Sequence, residues 1–174
     1  KEYNMKLGIV FEGGGMRGVY TAGVIEAFLE QQFYANYVIG VSAGASNGVS
    51  YVSKQRGRAL RCIIEYANNP RYASLKSWIT TGSYFGMDFL FGDLPHSLEP
   101  FDWEACNNNP CEFKIGATDA ETGEPVFFDK SDLDDDFTVI RASCSLPLFS
   151  PAIQWKERAY YDGGVVRPIP ANQA

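Results

Sequence analysis

The sequence predicts an α/β fold, a mostly parallel central sheet flanked by helices. Short apolar runs at residues 6–11 and 37–39 each pass through a glycine-rich turn into a segment of helical periodicity. Strand, helix, strand, helix with short links is the grammar of a parallel sheet. Further along, two pairs of short apolar runs separated by turn residues read as hairpins.

Residues 6–11 (Lys-Leu-Gly-Ile-Val-Phe) predict a buried strand, which runs into Glu12 and the loop Gly13-Gly14-Gly15-Met16-Arg17-Gly18. Residues 19–32 carry Ala22, Ile25, Phe28 and Leu29 on one helical stripe. Tyr37, Val38 and Ile39 form the second strand. It leads into Gly40-Val41-Ser42-Ala43-Gly44 and then into helix-forming residues 45–54. A serine on a tight strand-to-helix turn needs small neighbours, because its backbone is forced into a strained conformation. Its hydroxyl is then exposed at a helix N-terminus, where N–H groups and the helix dipole favour developing negative charge.

Residues 57–68 predict a third helix, with Leu60, Ile63, Ile64 and Ala67 on one face, stopped by Asn68-Asn69-Pro70. Residues 72–100 read as irregular and aromatic-rich, with Tyr72, Trp78, Tyr84, Phe85, Phe89 and Phe91. Residues 113–119 and 125–129 form a hairpin turning at Glu121-Thr122-Gly123. The acidic run 132–136 suits a helix N-terminus, the helix continuing through Val139, Ile140 and Ala142. Residues 153–155 and 159–161 form a second hairpin that ends at Asp162-Gly163-Gly164. A length of 174 residues suits a single domain, expected to span 1–174, with a sizeable core.

A net charge of −6 argues against a nucleic-acid surface, which wants a basic stripe. No apolar run approaches the roughly 20 residues that span a bilayer. The N-terminus is polar and shows no signal peptide. Cys62, Cys106, Cys111 and Cys144 make no close C-x-x-C pair, so free thiols in a cytoplasmic protein are expected. The carboxylates are scattered, and residues 132–136 lack calcium-loop spacing, so no metal and no cofactor is expected.

The loop Gly13 to Gly18 fits G-x-G-x-x-G, the dinucleotide-binding fingerprint. That fingerprint wants an acid at the end of the second strand, where this chain has Ser42 and no Asp or Glu until beyond Lys54. The absence of a following Lys-Ser or Lys-Thr excludes a phosphate-binding Walker loop. The alternative is that the N–H groups of Gly14 and Gly15 cradle an oxyanion near Ser42, because neighbouring parallel strands place both loops on one rim. Arg17 either steadies this loop or attracts an anionic substrate, or it is a solvated surface arginine.

Ser42 needs a base. The single histidine, His96, sits in the irregular segment and reads as a surface residue. Asp162 follows a strand and precedes two glycines that let the backbone approach another loop. A partly buried carboxylate there can take the serine proton; a plain turn after a hairpin is the alternative.

The chain resembles the patatin-like phospholipases. The motifs that carry the resemblance are the loop Gly13 to Gly18, the elbow Gly40 to Gly44 and Asp162-Gly163-Gly164, in that order. The segment from Arg141 to Pro151 resembles the family's stretch ahead of its aspartate. Glu12 stands where many members have Asp. The resemblance implies a patatin-like α/β/α fold and a serine acyl hydrolase with Ser42 as nucleophile and Asp162 as base. It further implies an oxyanion loop at Gly13, Gly14 and Gly15, supported by Arg17, Gly18 and Ala43. The implied substrate is a lipid or other acyl ester; the aromatic residues of 72–100 either line an acyl-chain pocket or make transient contact with a membrane surface, or they supply core area. Relatives usually continue beyond Asp-Gly-Gly, so a further C-terminal portion is expected. The rival readings are a dinucleotide-binding module and a binding protein that keeps the fold without the activity.

Overall fold

The computed structural model describes residues 6–174. One mixed sheet holds β1 (Gly8–Phe11), β2 (Tyr37–Val41), β3 (Glu112–Asp119), β4 (Pro125–Asp129), β5 (Ile153–Trp155) and β6 (Arg158–Asp162). β1, β2 and β3 are parallel neighbours. The two expected hairpins supply the antiparallel strands: β4 and β6 pair with β3, and β5 pairs with β6.

The register along β3 sets the geometry of everything that follows. Glu112 to Gly116 pair with β2, and Ala117 to Asp119 pair with β6. β4 pairs with Lys114 to Thr118 and so overlaps both. Each strand has two edges, so β4 takes one edge of β3 while β2 and β6 share the other. Val41, the last residue of β2, lies opposite Gly116; Asp162, the last residue of β6, lies opposite Ala117. The two strands run toward each other and stop at adjacent positions.

The helices are α1 (Gly18–Glu30), α2 (Ala43–Val52), α3 (Arg58–Ile64), α4 (Leu75–Thr81), α5 (Trp103–Asn108) and α6 (Thr138–Ser143). α2 and α6 pack on the sheet, and α1 packs on α2 and α3. Val38, Phe113, Ile115 and Ala117 of the sheet join Val49, Val52, Val139 and Ile140 in one buried core. Close approach of α2 to β1 depends on Gly44, where a Cβ would overlap the Phe11 carbonyl oxygen.

Two stretches differ from the sequence expectation. Residues 72–100 are not irregular throughout: they hold α4 and a π-helical segment, Phe89–Leu98, that contains Pro95. Helices this short draw their stability from packing, and Phe89, Phe91 and Leu94 are buried, which no local pattern announces. The acidic run 132–136 precedes the helix rather than opening it. Phe137 adopts φ 53° with its ring buried, and Asp134 Oδ1 accepts the Thr138 N–H at 2.7 Å. α5, capped by Asp102, was not expected. Among the described residues no helix is long and apolar enough to cross a membrane.

Candidate active site

Ser42 lies between β2 and α2 at φ 53°, ψ −124°, a backbone region that residues with a Cβ rarely adopt. The flanking glycines make that turn fit: a Cβ at Gly40 would come within 2.7 Å of the Ala45 backbone. The strained turn is tied to the sheet through Ser143. The Ser42 N–H donates to Ser143 Oγ at 2.8 Å, and that hydroxyl donates to the Gly116 carbonyl at 2.6 Å. Ser143 is fully buried, at the end of α6.

Asp162 is held as firmly. Its N–H donates to the Ser145 carbonyl at 2.8 Å, and its own carbonyl accepts from Thr118 Oγ1 at 2.9 Å. Asp162 Oδ1 accepts the Gly164 N–H at 2.7 Å. Gly163 does not need an unusual φ. It is required because a Cβ there would overlap the Gly116 carbonyl.

The carboxyl of Asp162 is 1% exposed, and Oδ2 is the one buried side-chain polar atom without a partner among the described residues. Burial pushes its pKa above the ordinary value of 3.8, while the Ser42 hydroxyl and the Gly164 N–H pull it back. The Ser42 hydroxyl favours the charged carboxylate, although no hydrogen bond to Oδ2 is formed among the described residues. Cys144 lies against the same pair: burial and the Asp162 charge push its thiol well up, and the Ser42 hydroxyl opposes them.

The glycine loop follows β1 and reaches Ser42, as expected for neighbouring parallel strands. A Cβ at Gly13 would stand 3.2 Å from Ser42 Cβ. The Gly13 N–H, however, points to the Pro168 carbonyl at 3.4 Å, so Gly13 is a spacer rather than a free donor. The N–H groups of Gly14, Gly15 and Ala43 donate to no backbone carbonyl among the described residues. Gly15, at φ 54°, and Ala43 line the same cavity as Ser42. Gly18 packs against Ala43, and its carbonyl accepts from Asn47 Nδ2 at 2.8 Å, which joins the loop to α2. Arg17 is exposed over Gly14 and borders a shallow hollow outside the Ser42 cavity. His96 is exposed beside Asp135, with Nε2 3.4 Å from Oδ1, and forms no part of the site.

Ser42 is 8% exposed, so its hydroxyl is not on an open surface; it faces a cavity of about 100 Å³. Met16, Tyr72, Phe85, Met87, Leu90 and Phe91 make much of the wall. The aromatic segment therefore divides between core, cavity wall and surface.

The family model for patatin-like phospholipases matches residues 9–174. The chain belongs to the patatin-like phospholipase family. It is 28% identical over 177 aligned positions to the uncharacterized protein YjjU of Escherichia coli K12, covering 97% of this chain and 48% of that one. It is 28% identical over 171 positions to the lysophospholipase nte1 of Aspergillus terreus, covering 92% of this chain and 10% of the relative. Its fold is similar to that of VipD from Legionella pneumophila, with a TM-score of 0.63 at 14% identity, over 92% of this chain and 46% of VipD. The chain thus spans about half the length of the first of these relatives and of the structural neighbour, and a tenth of the fungal protein.

Sequence reasoning missed two buried residues of this patatin-like site, Ser143 and Arg58. Ser143 stands in the Arg141–Pro151 segment that carried part of the resemblance, but nothing local says that its hydroxyl reaches back 101 positions to Ser42. Arg58 lines the cavity although its position reads as helix surface.

Proposed function

We propose that residues 1–174 form one patatin-like catalytic domain that hydrolyses acyl esters of lipids through a covalent acyl-serine. The observation that supports this most is the convergence, on one edge of β3, of Ser42, which lines an apolar cavity, with the unpartnered buried oxygen of Asp162. Asp162 takes the proton as Ser42 Oγ attacks the ester carbonyl. The N–H groups of Gly14, Gly15 and Ala43 receive the oxyanion; each such donor is worth about 3–4 kcal/mol in the transition state. The proton passes to the leaving alcohol, and Asp162 then activates water for deacylation. The raised pKa of Asp162 fits this exchange, since it makes the carboxylate a stronger base.

Membrane contact is proposed for the outer face of α4. Leu75 and Ile79 are 60% and 76% exposed, and Leu148, at 87%, lies beside them through the Trp78 Nε1 bond to its carbonyl. Ile79→Glu lowering sedimentation with vesicles would support this, and unchanged sedimentation would remove it.

The decisive test is a fluorophosphonate probe with mass mapping. Labelling at Ser42 that vanishes in Ser42→Ala, together with ester hydrolysis lost in Asp162→Asn, is expected. An unlabelled, folded protein favours the non-catalytic reading, and tight NAD binding would favour the dinucleotide reading.

A further inference from the structure

The cavity in front of Ser42 follows one face of α2, along Ser42, Ala43, Ser46, Asn47, Val49 and Ser50. At the Ser50 end its wall includes a cation. Arg58 is 5% exposed, so more than nine-tenths of it is buried. Its Nε donates to the Glu99 carbonyl at 3.1 Å and Nη1 to Ser50 Oγ at 3.0 Å, with the guanidinium 5.3 Å from the Phe101 ring centre.

All of these partners are neutral. Among the described residues no carboxylate lies within ion-pair distance of Arg58. The nearest acid, Glu99, is committed to Arg61 through contacts of 2.8 Å, 3.0 Å and 2.8 Å. The remaining amino group, Nη2, donates to nothing among the described residues, yet it is not sealed in, since Asp162 Oδ2 is the only enclosed side-chain polar atom left without a partner among them. Arg58 and its partner Ser50 both form part of the cavity wall, which sets the guanidinium beside that open space.

A buried charge without a counter-ion is costly, and an anion arriving in the cavity would gain a charge-assisted hydrogen bond in a dry setting. The position of Ser50, eight residues beyond Ser42 on α2, puts this cation roughly 12 Å from the serine at 1.5 Å rise per residue. A medium-length acyl chain spans that distance.

Resting on the acyl-serine reading above, we propose that Arg58 anchors an anionic group at the inner end of the cavity, and that the enzyme prefers acyl chains ending in a carboxylate over chains ending in a methyl. A single guanidinium neutralises a carboxylate fully, whereas a phosphate dianion would keep a buried charge. This favours the acyl terminus over a phosphate monoester on the alcohol side as the source of the anion.

The test compares hydrolysis of the 4-nitrophenyl half-ester of suberic acid with 4-nitrophenyl octanoate, in wild type and in Arg58→Met. Wild type is expected to favour the half-ester in kcat/KM by roughly 10- to 100-fold, the worth of a charge-assisted hydrogen bond, and Arg58→Met to reverse the order. The ratio is taken within each protein, so partial unfolding cancels. If Arg58→Met does not fold, the wild-type ratio alone decides. A wild-type ratio at or below one overturns the proposal. So does an Arg58-dependent preference for octanoyl glycerol phosphate over octanoyl glycerol without one for the half-ester, which would put the anion on the leaving group. Octanoate hydrolysis and fluorophosphonate labelling report separately on the acyl-serine reading, so the two ideas fail distinguishably.

Discussion

Removing the one hydroxyl that holds the Ser42 backbone from behind should damage both stability and rate. Among the described residues Ser143 is the only one whose side chain links the Ser42 backbone to β3, its Oγ accepting at 2.8 Å and donating at 2.6 Å. Ser143→Ala leaves a buried N–H and a buried carbonyl each short of a partner. An orphaned donor costs about 1–3 kcal/mol and the lost bond to the carbonyl about 1 kcal/mol, so a loss of about 2–4 kcal/mol is expected. For a chain of this size that is a fall of roughly 5–15 °C in Tm. The elbow is already strained at φ 53°, and without its tie it can relax away from the productive position. Small misplacements of reacting groups are expensive, so kcat should fall about 10- to 100-fold while KM changes little. Thermal melting and 4-nitrophenyl butyrate hydrolysis read the two effects. Ser145→Ala is the control. Its hydroxyl is equally buried but bonds only to the Arg141 carbonyl, and its backbone hold on Asp162 survives, so it should cost about 1 kcal/mol with little change in kcat. If Ser143→Ala melts with the wild type and turns over at its rate, Ser143 does not support the elbow.

Other substitutions separate strain, charge and packing. Ser42→Gly should abolish hydrolysis yet melt a few degrees above Ser42→Ala, because glycine removes strain of about 1–3 kcal/mol against about 0.5–1 kcal/mol of its own chain entropy; equal melting of the two would show an unstrained turn. For Asp162, the folded pKa lies above the unfolded one, so the stabilising contribution is full at low pH and is lost as pH rises through the folded value. Asp162→Asn should therefore be the more stable protein at neutral pH, with the gap closing toward acid. The acid limb of kcat/KM in wild type should fall above 3.8. A pH-independent gap in Tm, or an acid limb at the ordinary carboxylate value, contradicts the buried base. Gly44→Ala should cost upwards of about 3 kcal/mol, since its Cβ meets backbone rather than a movable side chain. Gly23→Ala, in α1 with open space around it, should gain about 0.5–1 kcal/mol. Similar melting of the two variants would show that α2 can shift away from β1.

The sequence by itself determined the elements whose signals are local. The strand-loop-helix order, both hairpins and the elbow were legible because apolar periodicity and turn glycines act over a few residues. It also singled out Ser42 and Asp162, since each sits between a strand and small residues. Only the tertiary structure decided what depends on pairing across the chain. The shared edge of β3 brings positions 42 and 162 together, and no spacing in the sequence encodes that register. The same holds for the Ser143 bridge, for the engagement of the Gly13 N–H by Pro168, and for the packing-dependent helices within residues 72–100. Burial is likewise a property of the whole fold. It raised the pKa of Asp162, which the sequence could expect only on the condition of burial, and it placed Arg58 in a cavity wall, where helix periodicity had not marked it.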